Sequence, residues 1–104
     1  HEFTLDAGEL LASTLMMNGG AAEAEPLLKA VLAAREKAYG KDDDDSLSAA
    51  YQLAGSLALQ GRFAEAIDLL QEYLPRARQC FGSDHAITRD YDNLQLNLLA
   101  LADP

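Results

Sequence analysis

The sequence is poor in cysteine and in basic side chains, and each shortage excludes a class of protein. A single cysteine, Cys80, permits neither an internal disulfide nor a cysteine-based zinc site, so we expect a cytosolic chain. Eight Lys and Arg residues against 17 Asp and Glu give a formal charge of −9, which repels nucleic acid and anionic membrane surfaces. No apolar run approaches the roughly 18 residues of a membrane span, and the start carries no signal-peptide pattern. We therefore expect neither nucleic acid nor a membrane as a partner.

The length allows one folding unit. A chain of 104 residues that is 49% hydrophobic can bury one core, or a few repeats of a longer array. Residues 1–3 read as a remnant of an expression vector, so we expect 4–104 to form a single helical domain excised from a longer protein.

The sequence predicts an all-α fold. It has few β-branched residues and is rich in Ala, Leu, Glu and Gln, with apolar positions recurring at spacings of three and four. Thr4 is the expected N-cap of the first helix, and Asp45 or Ser46 that of the third. Glycines at 19, 40, 61 and 82 are expected to end the first four helices. The predicted helices span residues 4–18, 22–39, 46–60, 63–81 and 87–101.

The chain repeats itself after 42 residues. The shift places Leu11 on Leu53 and Gly19 on Gly61, and it superposes the small, apolar and acidic residues of 22–28 on those of 64–70. Glycines, aromatic residues and small residues in one frame indicate a genuine repeat. We expect repeat one over 4–45, repeat two over 46–86 and a terminal helix over 87–101.

The spacing inside each unit resembles the tetratricopeptide repeat, in which a leucine, a small residue and a third apolar residue precede an Ala-x-x-x-apolar segment. The small residues are expected where the two helices of a pair cross, because a larger side chain would push the axes apart. The skeleton comprises Leu11, Ala12, Leu15, Ala24 and Leu28, then Leu53, Ala54, Leu57, Ala66 and Leu70.

The long period resembles that of the kinesin light chain type of this repeat. The similarity also extends to the segments 19–30, 34–42, 61–66 and 81–85. Gly8 and Ala50 replace the usual early aromatic residue, and Gln95 replaces the small residue of a third unit. The last helix is therefore expected to act as a packing helix. Pro75 is expected to kink the fourth helix.

No pattern for catalysis or for a cofactor occurs. The acidic run 42–45 lacks the glycine and glutamate of a calcium loop, because Leu47 and Leu53 stand there, so helix capping is the favoured role. His85 has no spaced partner, and the resemblance implies that it hydrogen-bonds its own loop, which joins two repeats. Cys80 is expected to be a small packing residue, and Met16 with Met17 either packs between repeats or forms an adaptable surface. We predict no enzyme, no metal and no cofactor.

The resemblance implies that the first helices of successive pairs line a concave groove for a partner peptide. Its acids Asp6, Glu9 and Asp92 face one cation, Arg89, so an acidic C-terminal tail is an unfavoured ligand. The groove positions are Asp6, Glu9, Leu10, Ser13, Met16, Ser48, Tyr51, Gln52, Gly55, Leu59, Arg89, Asp92, Asn93 and Leu96.

Three functions are compatible with these features. The first is a protein-interaction module that binds a peptide or helix. The second is a regulatory helical domain appended to an enzyme, such as a SET-type methyltransferase or a signalling NTPase. The third is a self-associating assembly module. Leu96 and Leu99 point away from the main apolar stripe of the last helix, so a homodimer through them is an expectation of the sequence.

Overall fold

The computed structural model describes residues 5–82 and 84–102, and the side chains of these residues except 5–7, 9, 101 and 102. Five α-helices follow one another, and no strand occurs within these ranges. The helices are α1 (Leu5–Met17), α2 (Ala21–Tyr39), α3 (Asp44–Leu59), α4 (Phe63–Phe81) and α5 (Ala86–Ala102). The all-α prediction is confirmed, and the boundaries agree with the predicted ones within two residues.

The start of α3 corrects one prediction. Neither Asp45 nor Ser46 caps this helix, because it begins earlier, at Asp44. The N-cap is Asp43, whose carboxylate Oδ2 accepts a hydrogen bond from the Asp45 backbone N–H at 2.9 Å. Ser46 instead lies inside the helix, and its hydroxyl donates to the Gly40 carbonyl at 2.8 Å. The predicted cap of α1, Thr4, lies outside the described residues.

The helices stack as antiparallel pairs in two layers. Each helix packs on the next along the chain, and α3 also contacts both α1 and α5. The thinnest dimension of the molecule, 18 Å, leaves room for no more than two layers of helices, each about 10 Å across. The alanines predicted at the two helix crossings, Ala12, Ala24, Ala54 and Ala66, are all completely buried.

One glycine with a positive φ lies in each turn between helices. Gly19, Gly40, Gly61 and Gly82 have φ values between 78° and 90°, a region that other residues rarely adopt. They recur every 21 residues, so each helix with its turn is half of the 42-residue period. The predicted glycine stops are confirmed.

Two residues, one of them in the repeat skeleton, are more exposed than expected. Leu11 is 52% exposed although its counterpart Leu53 is buried, because in the described structure α1 packs only on α2 and α3. Cys80 is exposed, so its prediction as a packing residue is wrong. Its repeat counterpart Ala38 is exposed as well, which places this position on the outer face of the second helix. Pro75 lies within α4, and the helix continues through it.

Candidate partner-binding groove

The first helices of the pairs, α1, α3 and α5, form one layer whose neighbours touch through predicted groove residues. Between α1 and α3, a Cβ added to Gly55 would lie 3.6 Å from the Met16 Cε. Half-buried Met16 therefore packs between the repeats, as predicted, whereas Met17 is 86% exposed. Gly55 leaves room for the methionine on the adjacent helix.

Two tyrosines join α3 to α5. The rings of Tyr51 and Tyr91 meet edge to face, with centroids 5.6 Å apart, and the buried Tyr91 hydroxyl donates to the Leu47 carbonyl. Burial, and secondarily the carboxylate of Asp90, raises the pKa of the Tyr51 hydroxyl. Asp90 is an exposed acid of this region that the repeat register did not identify.

One of the predicted groove acids has a cationic partner outside the layer. Asp92 is half-buried and forms an ion pair with Arg78 of α4 at 2.6 Å, so its charge is partly neutralised. Arg89 is exposed and forms no ion pair with another described residue. The side chains of Asp6 and Glu9 lie outside the described ones.

The remaining polar groove positions are divided between surface and interior. Ser13 and Ser48 are half-buried, and Asn93 is exposed. Gln52 is half-buried, and its Oε1 is enclosed without a hydrogen-bond partner among the described residues. Asn93 is therefore the most accessible uncharged polar group predicted for this surface.

Exposed apolar side chains concentrate on this same layer. Six of the seven large hydrophobic residues exposed in the described part belong to α1, α3 or α5, and the seventh, Tyr39, ends α2. Isolated exposed leucines are ordinary, but their concentration on one layer makes it a candidate surface for another molecule. Leu10, Leu59 and Leu96 are predicted groove positions, whereas Leu11, Met17 and Leu99 lie elsewhere on the same helices.

The opposite layer, formed by α2 and α4, is held by polar contacts between the repeats. Glu25, only 8% exposed, forms an ion pair with Lys29 at 2.9 Å and accepts hydrogen bonds from Gln60 and Arg62. Burial alone would raise the Glu25 pKa. The hydrogen bonds from Lys29, and after it from Gln60 and Arg62, outweigh burial and lower this pKa to about 2. Arg62 also pairs with Glu65, so one cluster joins α2 to the start of α4.

Further contacts extend this connection along α4. The Tyr73 hydroxyl donates to the Glu36 carboxylate, and burial followed by this acid raises the Tyr73 pKa. Two exposed ion pairs bind the loop after α2 to α4, namely Lys41–Glu72 at 3.3 Å and Asp42–Arg76 at 3.1 Å. These contacts connect the end of the first repeat to α4 of the second.

His85 has the local role that the sequence predicts. Its Nδ1 accepts a hydrogen bond from the Ile87 N–H at 3.2 Å, and its ring stacks on Phe81 with centroids 4.7 Å apart. The histidine therefore organises the turn from α4 to α5. The carboxylates of Asp43, Asp44 and Asp45 lie within 4.8 Å of one another, and the capping role predicted for this acidic run is confirmed by Asp43.

Among the described residues, each helix is too short or too polar to cross a lipid bilayer. A sequence model of the family described as "Tetratricopeptide repeat" matches residues 4–79, which is more than half of the chain. No curated protein sequence gives a significant match.

Proposed function

The chain belongs to the tetratricopeptide repeat family, and on this premise we propose that it binds a partly apolar, neutral or basic segment of a partner protein. The proposed site is the groove of α1, α3 and α5. The observation that carries the proposal is the concentration of exposed leucine and methionine on these helices. Among the described residues of α2 and α4, Tyr39 is the one large hydrophobic side chain that is exposed. An apolar partner segment therefore gains most contact in the groove.

Charge supports a neutral or basic segment. The sequence of these helices has Asp6, Glu9 and Asp90 against one predicted groove cation, Arg89, and the whole chain carries −9. A partner carboxylate would meet repulsion in such a field, whereas a lysine or arginine would be attracted. We propose further that the chain acts in the cytosol as a scaffold, without catalysis, cofactor or metal.

The test is calorimetric titration with amidated peptides that combine leucine with lysine or arginine, and with the same peptides carrying glutamate. The basic peptides should bind more tightly. Leu59→Glu with Leu96→Glu should weaken that binding, because both side chains are exposed in the groove layer. Tyr39→Glu is the matched control, since it changes an exposed apolar residue outside that layer. Equal losses in the control would contradict the groove assignment.

Reversal of the groove charge tests the proposed preference for neutral or basic peptides. Replacement of Asp6, Glu9 and Asp92 by Lys should shift the preference toward acidic peptides. Because Asp92 also pairs with Arg78, the double variant Asp6→Lys with Glu9→Lys separates ligand charge from loss of this ion pair. A peptide-library screen that returns mainly acidic C-terminal tails on the unmodified chain would refute the proposal.

A second candidate is self-association through α5. Leu96 and Leu99 are 66% and 45% exposed, and a second copy of the chain is one means of covering them. Light scattering at high concentration measures the molar mass and so distinguishes this dimer from a monomer whose groove is free to bind a different protein.

A further inference from the structure

A cavity of about 320 Å³ lies between α2, α3 and α4, away from the groove. Its apolar floor consists of Leu53 and Leu57 from α3 and of half-buried Leu69 from α4. At 3.6 residues per turn, Leu53 and Leu57 occupy the side of α3 opposite to Ser48 and Gly55. We call this concavity the outer cavity.

The rim of the outer cavity is acidic. Glu65, Asp68 and Glu72 follow α4 at spacings of three and four, which places them on one face of the helix around Leu69. The cavity's one lining cation is Lys29, which already pairs with Glu25 at 2.9 Å. Asp68 forms no ion pair with another described residue. The cavity thus presents an apolar floor beside a row of carboxylates.

This acidity is not a requirement of the repeat. With the 42-residue shift, the counterparts of Asp68, Leu69 and Glu72 in the first repeat are Pro26, Leu27 and Ala30. Both repeats have a leucine at the position of Leu69, where it packs between helices. The two acids, in contrast, occur in α4 and not at the matching positions of α2. Glu65 and Glu72 also hold Arg62 and Lys41 only through exposed ion pairs, which contribute little and exchange readily.

We propose that the outer cavity is a second docking site, which takes a basic amphipathic helix of a partner protein. An apolar side chain of that helix enters the cavity against Leu57 and Leu69. Lysine or arginine residues one turn to either side pair with Asp68 and Glu72. Charge complementarity selects this occupant, because an acidic helix would be repelled by the carboxylate row and a purely apolar one would leave Asp68 without a cationic partner.

The probe is an acetylated and amidated helical peptide of about 14 residues, four turns long, that carries leucine and arginine on one face. Amide chemical shifts of the isotope-labelled chain report where it binds. We expect the largest changes at Lys29 and at residues 65–72, and we expect affinity to fall as salt is added. The same peptide with glutamate in place of arginine should not bind this site.

Charge reversal on the rim supplies the decisive variant. Asp68→Lys with Glu72→Lys should weaken binding about tenfold, because each exposed pair contributes up to about a factor of five. Glu23→Lys with Asp84→Lys is the matched control, which makes the same change of net charge at exposed acids outside the cavity. Circular dichroism verifies that both variants keep the helix content of the parent.

Two outcomes would overturn the proposal. One is an equal loss of affinity in the rim variant and the control, because the loss would then follow from the net charge of the chain and not from the rim acids. The other is a set of shift changes confined to α1, α3 and α5. The groove variant Leu59→Glu with Leu96→Glu keeps this test separate from the proposed function, because it should leave binding at the outer cavity unchanged.

Discussion

Four alanines set the distance between the helices of each pair. Ala12 and Ala24 are predicted at the first crossing, and Ala54 and Ala66 at the second, and no surface of any of them is exposed. Helix axes can approach closely only where side chains are small, so these positions tolerate added volume poorly.

Enlargement of either alanine in the second pair should therefore destabilise the fold. Ala54→Leu and Ala66→Leu should each lower the free energy of unfolding by about 1–3 kcal/mol through overpacking. Urea unfolding followed by circular dichroism measures the change. Ala64→Leu is the control, since Ala64 is exposed near the start of the same helix. If the crossing variants unfold at the urea concentration of the parent, the repeat register is wrong.

Glu25 makes stability depend on pH. Its pKa is about 2 in the folded chain, below the ordinary 4.5, so the folded state favours the charged carboxylate. This contribution is complete above pH 4.5 and is lost as the pH falls through the interval toward 2.

Glu25→Gln should remove this dependence and lower stability near pH 7 by about 1–3 kcal/mol, the cost of a lost charged hydrogen-bond partner. The difference between parent and variant should shrink between pH 5 and pH 2.5 in parallel urea titrations. A difference of constant size over that interval would show that the Glu25 charge does not act in this way.

Local spacing predicted the alanines and the glycines, because a repeat register fixes which positions must be small and which must turn. It did not predict Asp43 as the cap of α3, since four successive aspartates have the same capping ability. The contacts of Asp92 with Arg78 and of Glu25 with Arg62 join residues 14 and 37 apart. Such contacts depend on how helices are placed on one another, which a sequence pattern does not specify.

At the scale of the element, α5 has two different apolar faces. Tyr91 and Leu98 are buried, with Ile87 and Leu94 half-buried beside them, as the predicted stripe required. Leu96 is exposed and lies on the other face, away from this stripe. The helix therefore closes the core on one side while it adds apolar surface to the groove layer.

Replacement of both exposed leucines tests whether this second face also joins two chains. Leu96→Glu with Leu99→Glu should leave stability within about 0.5 kcal/mol, because neither side chain belongs to the core. If a dimer forms through α5, light scattering should give a dimer for the parent and a folded monomer for the variant. A parent that stays monomeric at high concentration would end the self-association hypothesis.

At the scale of the whole molecule, negative charge opposes compaction. The formal charge of −9 is spread over a thin molecule, so like charges lie close together on both layers. The described ion pairs on the surface offset only part of this repulsion, since exposed pairs contribute little.

Added salt should therefore stabilise the chain. The urea midpoint should rise between about 10 mM and 150 mM sodium chloride, as the Debye length falls from about 30 Å to 8 Å. Titration with a neutral osmolyte at equal osmolality is the control for effects unrelated to charge. A midpoint that falls with salt would mean that the ion pairs between the repeats outweigh the net repulsion.

The pattern of helix neighbours also governs how quickly the chain acquires its structure. Each contact between the described helices joins partners no more than two apart along the chain, so every loop that closes during folding is short. Folds with this topology cross their barrier in microseconds to milliseconds. The central pair α3 and α4 has helix neighbours on both sides, whereas α1 has them on one. Structure is therefore expected to nucleate in the middle of the chain and spread outward, and hydrogen exchange should be fastest in α1.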